Sequence, residues 1–268
     1  MTDRQPVQLS REAGIARVHL DRPDKRNALS RDMLRMVGEA FAEADADDSI
    51  RVIVLSGADP DFCAGFDLGG LPSGESNEAR TERERVEFFG LGMGIRNTAK
   101  PTVASIQGAC VAGGLLISLT CDLIVMSDDA YLYNPLTRMG GVGLELLLEP
   151  WDIGFRRAKK YLFTAERIPA PVALELGLAS EVVARKELAG ATFRLAQRIA
   201  EMPPVTLRLL KRSMNYAQDQ GGMKEGLAHH FGIHQQGHES SESQALLHDA
   251  RHGKPLKEYF QKRDAGKL

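Results

Sequence analysis

The sequence has few cysteines, and none of them is spaced for zinc binding or in a CxxC pair. The three cysteines are Cys63, Cys110 and Cys121 among 268 residues. Most of their neighbours are small or apolar, which favours buried, reduced thiols and a cytoplasmic location. We therefore expect no cysteine-ligated metal.

Other absences exclude whole classes of protein. No run of about 18 apolar residues occurs, so no membrane span is expected, and the start, MTDRQPVQLS, has no apolar signal-peptide core. The formal net charge is -2, and no dense basic stripe suggests a nucleic-acid partner. The patterns GxGxxG after a strand, GxxxxGK[ST] and GxSxG are missing, so dinucleotide, P-loop and serine-hydrolase chemistry have no support.

Four histidines cluster on a helix predicted near the C-terminus: His229, His230, His234 and His238. Residues four apart on a helix share one face, so the pairs His230–His234 and His234–His238 have a spacing that permits a zinc site. However, no HExxH pattern accompanies them and no carboxylate stands at a matching inner position. Surface or interface histidines explain the spacing as well, and we expect no metal site.

The chain is organised around Ser105–Asp122, SIQGACVAGGLLISLTCD. Thr102–Ile106 is β-branched and apolar, which predicts a strand. Gly108, Gly113 and Gly114 predict a turn, and the apolar run from Leu115 predicts a buried helix. The first amides of a helix have no partner inside it, so an amide of this turn can stabilise an oxyanion. A simple packing turn explains the same pattern.

A second stretch, DFCAGFDLGG at residues 61–70, follows an apolar strand predicted over 51–56. Together the two stretches resemble the crotonase, or enoyl-CoA hydratase/isomerase, family. The resemblance rests on four segments in family order: DRPDKRNALS at 21–30, RVIVLSGADPDFCAGFDL at 51–68, KPTVASIQGACVAGGLLISLTCDL at 100–123 and TAERIPAPVALELGLASEVV at 164–183.

The order of predicted elements fits this family. Strands and helices alternate to about residue 185 and helices alone follow, which predicts an α/β protein with a ββα spiral core and a helical C-terminal region. We predict a core with an acyl-CoA site over residues 1–185 and a trimerisation region over residues 186–268. The family implies a homotrimer or a dimer of trimers, and apolar faces of the late helices would be buried between subunits.

The resemblance implies which residues form the site. The backbone amides of Phe66 and Gly113 would hold the carbonyl oxygen of an acyl-CoA thioester. No cofactor is expected, because coenzyme A is part of the substrate. The positions expected to line the substrate are Arg26, Ala28, Ala64, Asp67, Leu68, Ala109, Val111, Leu116, Pro135 and Leu136.

The acid/base groups depart from the family pattern. Hydratases of this family use two glutamates, at the positions that are Leu116 and Leu136 here, and leucine cannot transfer a proton. Glu145, within VGLELLLEP, is the remaining candidate base, because burial among apolar residues raises a carboxyl pKa. In the alternative interpretation Glu145 faces solvent or pairs with an arginine, such as Arg138, Arg156 or Arg157.

Basic residues at two places are candidates for binding the phosphates of coenzyme A. The loop Asp21–Asn27 carries Arg22, Lys25 and Arg26 and is otherwise a solvated turn. In the family, a basic and aromatic C-terminal tail completes the nucleotide pocket of a neighbouring subunit. The candidates for this role here are Lys254, Lys257, Phe260 and Lys262. The alternative is that they form an exposed terminal helix.

We therefore expect an enzyme of this family that forms an enolate from an acyl-CoA, with isomerisation favoured over hydration. The alternative is a non-catalytic acyl-CoA binding or carrier protein that keeps the same fold.

Overall fold

The computed structural model describes residues 5–70, 72, 74–245 and 261. Within these residues the strands are β1 (Val7–Glu12), β2 (Ile15–Leu20), β3 (Val52–Gly57), β4 (Thr102–Ile106), β5 (Ala109–Val111), β6 (Leu123–Ser127), β7 (Tyr131–Tyr133), β8 (Ile168–Pro169) and β9 (Glu181–Val183). The α-helices are α1 (Arg31–Ala46), α2 (Asn77–Glu84), α3 (Leu91–Arg96), α4 (Gly113–Leu119), α5 (Glu149–Ile153), α6 (Phe155–Thr164), α7 (Ala170–Glu175), α8 (Leu188–Ala200), α9 (Pro204–Gln220) and α10 (Met223–Gly237).

The strands form two sheets. The larger has the order β1-β2-β3-β4-β6-β9 and the smaller has the order β5-β7-β8. The hairpin of β1 and β2 is antiparallel, and every later pair in the larger sheet is parallel. A parallel sheet needs cover on both faces, and β3 is accordingly buried along its whole length.

Alternating residues of β3 enter two separate cores. Ile53 and Leu55 belong to the main core, which includes the apolar side of α1 and most of α4. Val52 and Val54 belong to a second core, which α8 covers with Leu188 among other residues. The first helix of the C-terminal region therefore packs directly on the sheet.

Most of the predicted elements are present at the expected places. Ser30 caps α1, its side chain accepting a hydrogen bond from the Met33 N–H. Pro203 and Pro204 separate α8 from α9, and Gly221 and Gly222 separate α9 from α10. No helix among the described residues is long and apolar enough to cross a membrane.

Three local predictions need correction. The expected turn between β4 and α4 contains a short strand, β5, and α4 begins at Gly113 rather than at Leu115. The helix predicted over 81–97 begins at Asn77 and widens to a π-helix over Arg85–Gly90. The expected loop over 136–148 opens with a 3-10 turn, Leu136–Met139.

The proposed tail residues Lys254, Lys257, Phe260 and Lys262 lie outside the described residues.

Candidate functional site

Three segments from distant parts of the chain run side by side. The Leu29 N–H donates to the Gly65 carbonyl at 2.8 Å, and the Asp67 N–H donates to the Leu29 carbonyl at 2.9 Å. On the other side, the Cys63 N–H donates to the Ala109 carbonyl at 3.0 Å. The three segments that the family resemblance singled out are thus held together by backbone hydrogen bonds.

Several expected substrate positions lie along these contacts. The Ala64 N–H donates to the Arg26 carbonyl at 2.9 Å, and the Val111 N–H donates to the Cys63 carbonyl at 2.9 Å. Leu68 begins a 3-10 turn directly after Asp67. The backbone at Ala28, Ala64, Asp67, Leu68, Ala109 and Val111 therefore lies on or beside these hydrogen-bonded segments.

The start of α4 is held in a strained conformation. Ala112, the residue before the helix, has φ 46° and ψ -109°, a region that non-glycine residues rarely adopt. Gly114 allows the close approach to the neighbouring segment, because a Cβ there would lie 2.7 Å from Cys63 Cβ and 2.9 Å from the Cys63 carbonyl oxygen. The fold thus fixes the direction of the first helical amides by backbone packing.

The Phe66 ring lies across the first residue of α4. A Cβ on Gly113 would lie 2.6 Å from Phe66 Cε1. The ring also stacks on Phe88, with the centroids 4.2 Å apart. The aromatic side chain therefore faces Gly113 and does not turn away from it.

The amides of Phe66 and Gly113 share one property. Among the described residues, neither N–H has a protein acceptor, although the amides of Leu29, Asp67, Val111 and Ala112 all have one. Two unused donors on adjoining segments are what a bound carbonyl oxygen requires.

The basic residues of the first loop are engaged with carboxylates. Arg22 Nη1 donates to Asp67 Oδ2 at 2.8 Å, and Arg26 Nε donates to Asp61 Oδ2 at 2.5 Å. Burial alone would raise the pKa of Asp61, but the hydrogen bonds from Arg26 and from the Ala109 N–H hold it below its usual value. The Arg26 side chain is still 57% exposed, so it remains accessible to an anion.

Asn27, which sequence reasoning passed over, fixes this loop. It is fully buried, and its Nδ2 donates to the carbonyls of Ala58 and Asp61, each at 2.7 Å. Its Oδ1 accepts from the Arg22 N–H at 2.9 Å. In the sequence Asn27 is only an amide side chain in a charged loop, and that feature is too common to mark a functional residue.

The two leucines at the expected glutamate positions differ in their surroundings. Leu116 is 1% exposed within α4, and a Cβ on Gly92 would lie 3.1 Å from Leu116 Cδ2 and 2.3 Å from Leu146 Cδ1. Pro135 and Leu136 start the next loop, where the Leu136 N–H donates to Asn134 Oδ1 at 3.3 Å and Leu136 is partly exposed. Neither position offers an acid or a base.

Glu149 supports the loop that starts at Pro135 and Leu136. It is buried, and Asn134 Nδ2 donates to its Oε1 at 2.8 Å. Burial raises the pKa of Glu149, with the Asn134 hydrogen bond acting against the rise. The chain Glu149–Asn134–Leu136 holds the loop by hydrogen bonds, which gives Glu149 a structural role.

Glu145 is buried, being 4% exposed, so the alternative in which it faces solvent is wrong. Its ionic neighbour is His234, whose Nε2 lies 3.9 Å from Glu145 Oε1. The other oxygen, Oε2, is buried with no hydrogen-bond partner among the described residues. Burial raises the pKa of Glu145 to about 7, with His234 opposing the rise and Glu84 adding to it.

Sequence reasoning missed Glu84, which lies beside Glu145. The Oε2 atom of Glu84 is 3.1 Å from His238 Nε2 and 3.5 Å from His234 Nε2. Burial would raise the pKa of Glu84, but hydrogen bonds to the two histidines hold it far below its usual range. The two histidines do share a face, as their spacing predicts, with the Nε2 atoms 3.1 Å apart.

This acid-histidine cluster adjoins the Phe66 side of the site. Glu84 precedes Phe88 by four residues on one continuous helical segment, which is about 6 Å along a helix axis. Phe88 stacks on Phe66, and Leu146, next to Glu145, packs near Leu116. The acid-histidine cluster and the Phe66 side of the site therefore lie around the same layer of aromatic and aliphatic side chains.

A comparison with known protein families matches residues 10–265 of the chain to the enoyl-CoA hydratase/isomerase model. The curated relatives include the enoyl-CoA hydratase homologue EchA13 of Mycobacterium tuberculosis, which is 38% identical over 245 residues, or 84% of this chain and 77% of the relative. They also include 4-chlorobenzoyl coenzyme A dehalogenase-2 of an Arthrobacter species, 32% identical over 203 residues, or 74% of this chain and 73% of the relative.

Solved structures agree in fold. A crystal structure of a probable enoyl-CoA hydratase from Mycobacterium smegmatis covers 90% of this chain and 97% of its own, with a TM-score of 0.85 and 36% identity. An enoyl-CoA hydratase/isomerase from Xanthobacter autotrophicus covers 97% of this chain and 98% of its own, with a TM-score of 0.90 and 29% identity. The spiral fold expected from the sequence is confirmed.

Proposed function

Because the chain belongs to the enoyl-CoA hydratase/isomerase family, we propose that it binds an acyl-CoA thioester and moves a proton on its acyl chain through an enolate. The observation that carries the proposal is the pair of unused amides at Phe66 and Gly113. A relative that is named a 4-chlorobenzoyl coenzyme A dehalogenase also acts on a thioester of coenzyme A, which supports this substrate class.

The two amides stabilise the negative charge that develops in the reaction. Removing a proton from the carbon next to the thioester places negative charge on the carbonyl oxygen. Donors already fixed in place stabilise that charge at no cost of reorganisation, and one such donor is worth about 3–4 kcal/mol at a transition state. Gly113 lies at the first position of α4, where the partial positive charge of a short helix adds to the effect.

Glu145 is the proposed base. Its burial, its unpartnered oxygen and the nearby Glu84 carboxylate keep Glu145 basic near neutral pH. In an isomerisation, Glu145 takes the proton from the α-carbon, the double bond moves as the enolate collapses, and the same carboxyl returns the proton to the γ-carbon. One group performs both steps, so no second acid is needed.

Hydration is disfavoured because the chain lacks the acid/base groups that the family's hydratases use. Adding water across a double bond requires one group to activate the water and a proton source for the α-carbon. Leucine stands at both positions where the family's hydratases have glutamate, and Leu116 is packed against aliphatic side chains. We therefore expect slow or absent hydration of crotonyl-CoA.

The nucleotide half of coenzyme A is assigned to the first loop and the surface beside it. The exposed guanidinium of Arg26 is placed to meet a phosphate. The backbone at Ala28, Ala64, Asp67, Leu68, Ala109 and Val111, together with Pro135, lines the path toward Phe66 and Gly113. Binding of coenzyme A should weaken as salt is added, because phosphate contacts are screened.

The test is solvent-deuterium incorporation into a panel of acyl- and enoyl-CoAs, measured by mass spectrometry. Wild type should exchange a proton with at least one member. Glu145→Gln keeps the shape and removes the basicity, so exchange should fall by about 10²–10⁴-fold while acyl-CoA affinity stays nearly unchanged. Exchange that survives in Glu145→Gln would contradict the assignment of the base, and no coenzyme A binding at millimolar concentration would contradict the substrate class.

A second candidate function is acyl-CoA binding without chemistry. One observation favours it: leucine stands at both positions where the family's hydratases have glutamate. A carrier would bind acyl-CoA and incorporate no deuterium from any member of the panel. The same experiment therefore separates the two functions.

We also propose that the protein is a trimer or a dimer of trimers. Helix α9 leaves Val205, Leu209 and Tyr216 on one side and Leu210 and Met214 on the other, each between 53% and 64% exposed, and such apolar surface is suited to contact between subunits. Light scattering at micromolar concentration should give a multiple of three of the 29.4 kDa chain. A monomer would contradict this.

A further inference from the structure

We infer that Glu84, His234 and His238 form a binding site for a zinc ion, in addition to the proposed acyl-CoA site. Glu84 ends α2, His234 lies in α10 and His238 directly follows α10. The ligand atoms of the three side chains all lie within 4.8 Å of one another. Glu84 and His234 are 5% and 4% exposed. The inference does not depend on the proposed function, because its readout is metal binding alone.

The spacing of the three atoms fits tetrahedral coordination. Zinc binds histidine nitrogen and carboxylate oxygen at about 2.0–2.2 Å, so two ligand atoms on a tetrahedron lie roughly 3.3 Å apart. The observed edges are 3.1 Å between the two Nε2 atoms, 3.1 Å from His238 Nε2 to Glu84 Oε2 and 3.5 Å from His234 Nε2 to Glu84 Oε2. One ion can reach all three atoms with little movement.

Hydrogen bonds to groups outside the cluster orient His234 and Glu84 for metal binding. His234 Nδ1 lies 3.0 Å from the Gly143 carbonyl, and because a carbonyl only accepts, Nδ1 carries the proton. The lone pair of a neutral His234 is therefore on Nε2, facing the other two ligands, which is the usual arrangement for a metal-binding histidine. Gln235 Nε2 donates to Glu84 Oε2 at 2.8 Å and fixes the carboxylate.

The charges around the site attract a cation. Glu84 is accompanied by Glu145, whose Oε1 is 3.9 Å from His234 Nε2 and whose Oε2 is buried without a partner among the described residues. Arg83 approaches only the other oxygen of Glu84, Oε1, at 3.5 Å, and is bonded to Glu75. Glu145 therefore adds a second carboxylate beside the cluster without being one of its three ligands.

The donor set also selects the metal. Two imidazoles and one carboxylate are ligands of zinc and of similar transition metals, whereas Mg²⁺ prefers oxygen ligands alone. The site differs from HExxH sites because the carboxylate comes from a helix 150 residues earlier in the chain. Sequence spacing alone therefore did not indicate it.

The experiment uses the full chain without an affinity tag, freed of metal with a chelator and exchanged into metal-free buffer. Calorimetric titration with ZnCl₂ should show one zinc per chain, and MgCl₂ should show no binding. CoCl₂ should produce the visible absorption of tetrahedral Co²⁺, a readout that requires no variant.

Two ligand variants and two controls locate the site. Glu84→Gln keeps the shape, and His238→Ala changes a side chain that is 19% exposed; each should abolish stoichiometric binding. Gln235→Ala, which removes only a supporting hydrogen bond, should weaken binding by about 10–100-fold. His229→Ala, an exposed histidine on the same helix, should bind zinc as wild type does. Circular dichroism verifies the fold of each variant.

Three results would overturn the inference. The first is no stoichiometric binding of zinc to the wild type. The second is wild-type affinity in both Glu84→Gln and His238→Ala. The third is loss of binding in His229→Ala, which would assign the zinc to surface histidines.

Discussion

The two sides of the candidate site are built in different ways. One side consists of backbone: the amides of Phe66 and Gly113, fixed by hydrogen bonds between three adjoining segments. The other side consists of side chains: Leu116, Leu136 and Glu145, supplied by a helix and by loops. The backbone side matches the pattern that the family resemblance predicts and the side-chain side departs from it, so we expect binding of a thioester and the chemistry done on it to be separable properties.

The difference has a physical basis. A backbone amide is present whatever the residue, so this side depends on the path of the chain rather than on the side chain of Phe66. A proton-transferring group exists only where a particular side chain stands. Four predictions test this contrast, taken from the largest expected effect to the smallest.

Replacing Leu116 by glutamate places an acid where the family has one, but within an aliphatic environment. Leu116→Glu should lower the free energy of unfolding by about 3–5 kcal/mol at pH 7, because a buried charge without a partner is costly. Leu136→Glu, at a partly exposed position, is the matched control and should cost less than half of that. Urea unfolding of both variants measures the difference.

If Leu116→Glu proves as stable as wild type, the pocket already accommodates a carboxylate, and the two sides of the site are less distinct than we argue. The double variant Leu116→Glu plus Leu136→Glu is then the one to test for gain of crotonyl-CoA hydration.

The two glycines that begin α4 should respond differently to alanine. Gly114→Ala should destabilise the protein by about 1–3 kcal/mol, because the new Cβ meets the Cys63 backbone. Gly113→Ala meets only the Phe66 ring, which can rotate, so the stability loss should be smaller and the loss of acyl-CoA affinity larger. Thermal unfolding and calorimetry measure the two quantities, and equal losses in both variants would argue against a backbone-fixed site.

The Phe66 ring should compete with the ligand. The stack on Phe88 is worth about 0.5–1.5 kcal/mol, so Phe66→Ala should raise acyl-CoA affinity by up to about tenfold. Phe89→Ala is the control, since Phe89 packs edge-on against Phe231 with centroids 5.3 Å apart. A fall in affinity on removing the Phe66 ring would identify it as a ligand contact instead.

The smallest expected effect concerns Glu149, which supports the second loop. The folded pKa of Glu149 is raised by burial above the value of about 4.3 for a free glutamate. Folding therefore favours the protonated form, and wild type loses stability as pH rises from about 4 through the raised pKa. Glu149→Gln does not titrate, so its unfolding free energy relative to wild type should increase over that range. A difference that does not change with pH would show that Glu149 titrates as it does in the unfolded chain.

Local signals account for the elements that were predicted correctly. The hairpin of β1 and β2, the Ser30 cap and the proline and glycine breaks between the last helices each depend on a few adjacent residues. The apolar run after Gly114 likewise predicted a buried helix, whose observed burial is nearly complete.

The missed features depend on long-range contacts. β5 consists of three small residues with no strand pattern of their own, and it forms because Cys63 and Tyr131 to Tyr133 pair with it. Glu84 meets His234 across 150 residues of sequence, and no local spacing encodes that meeting. The sequence left burial, solvent exposure and an arginine partner open for Glu145. The structure buries it, and its neighbour His234 was not predicted.

The packing of α8 on the sheet has a consequence for synthesis. A ribosome delivers the chain from its N-terminus, and among the described residues α8 is the helix that covers this face of β3 and β4 in the second core. That face, with Val52, Val54 and Val103, stays bare until Ala200 has been made. About three quarters of the protein must therefore be translated before the sheet is enclosed, which makes the nascent chain a client for factors that shield apolar surface.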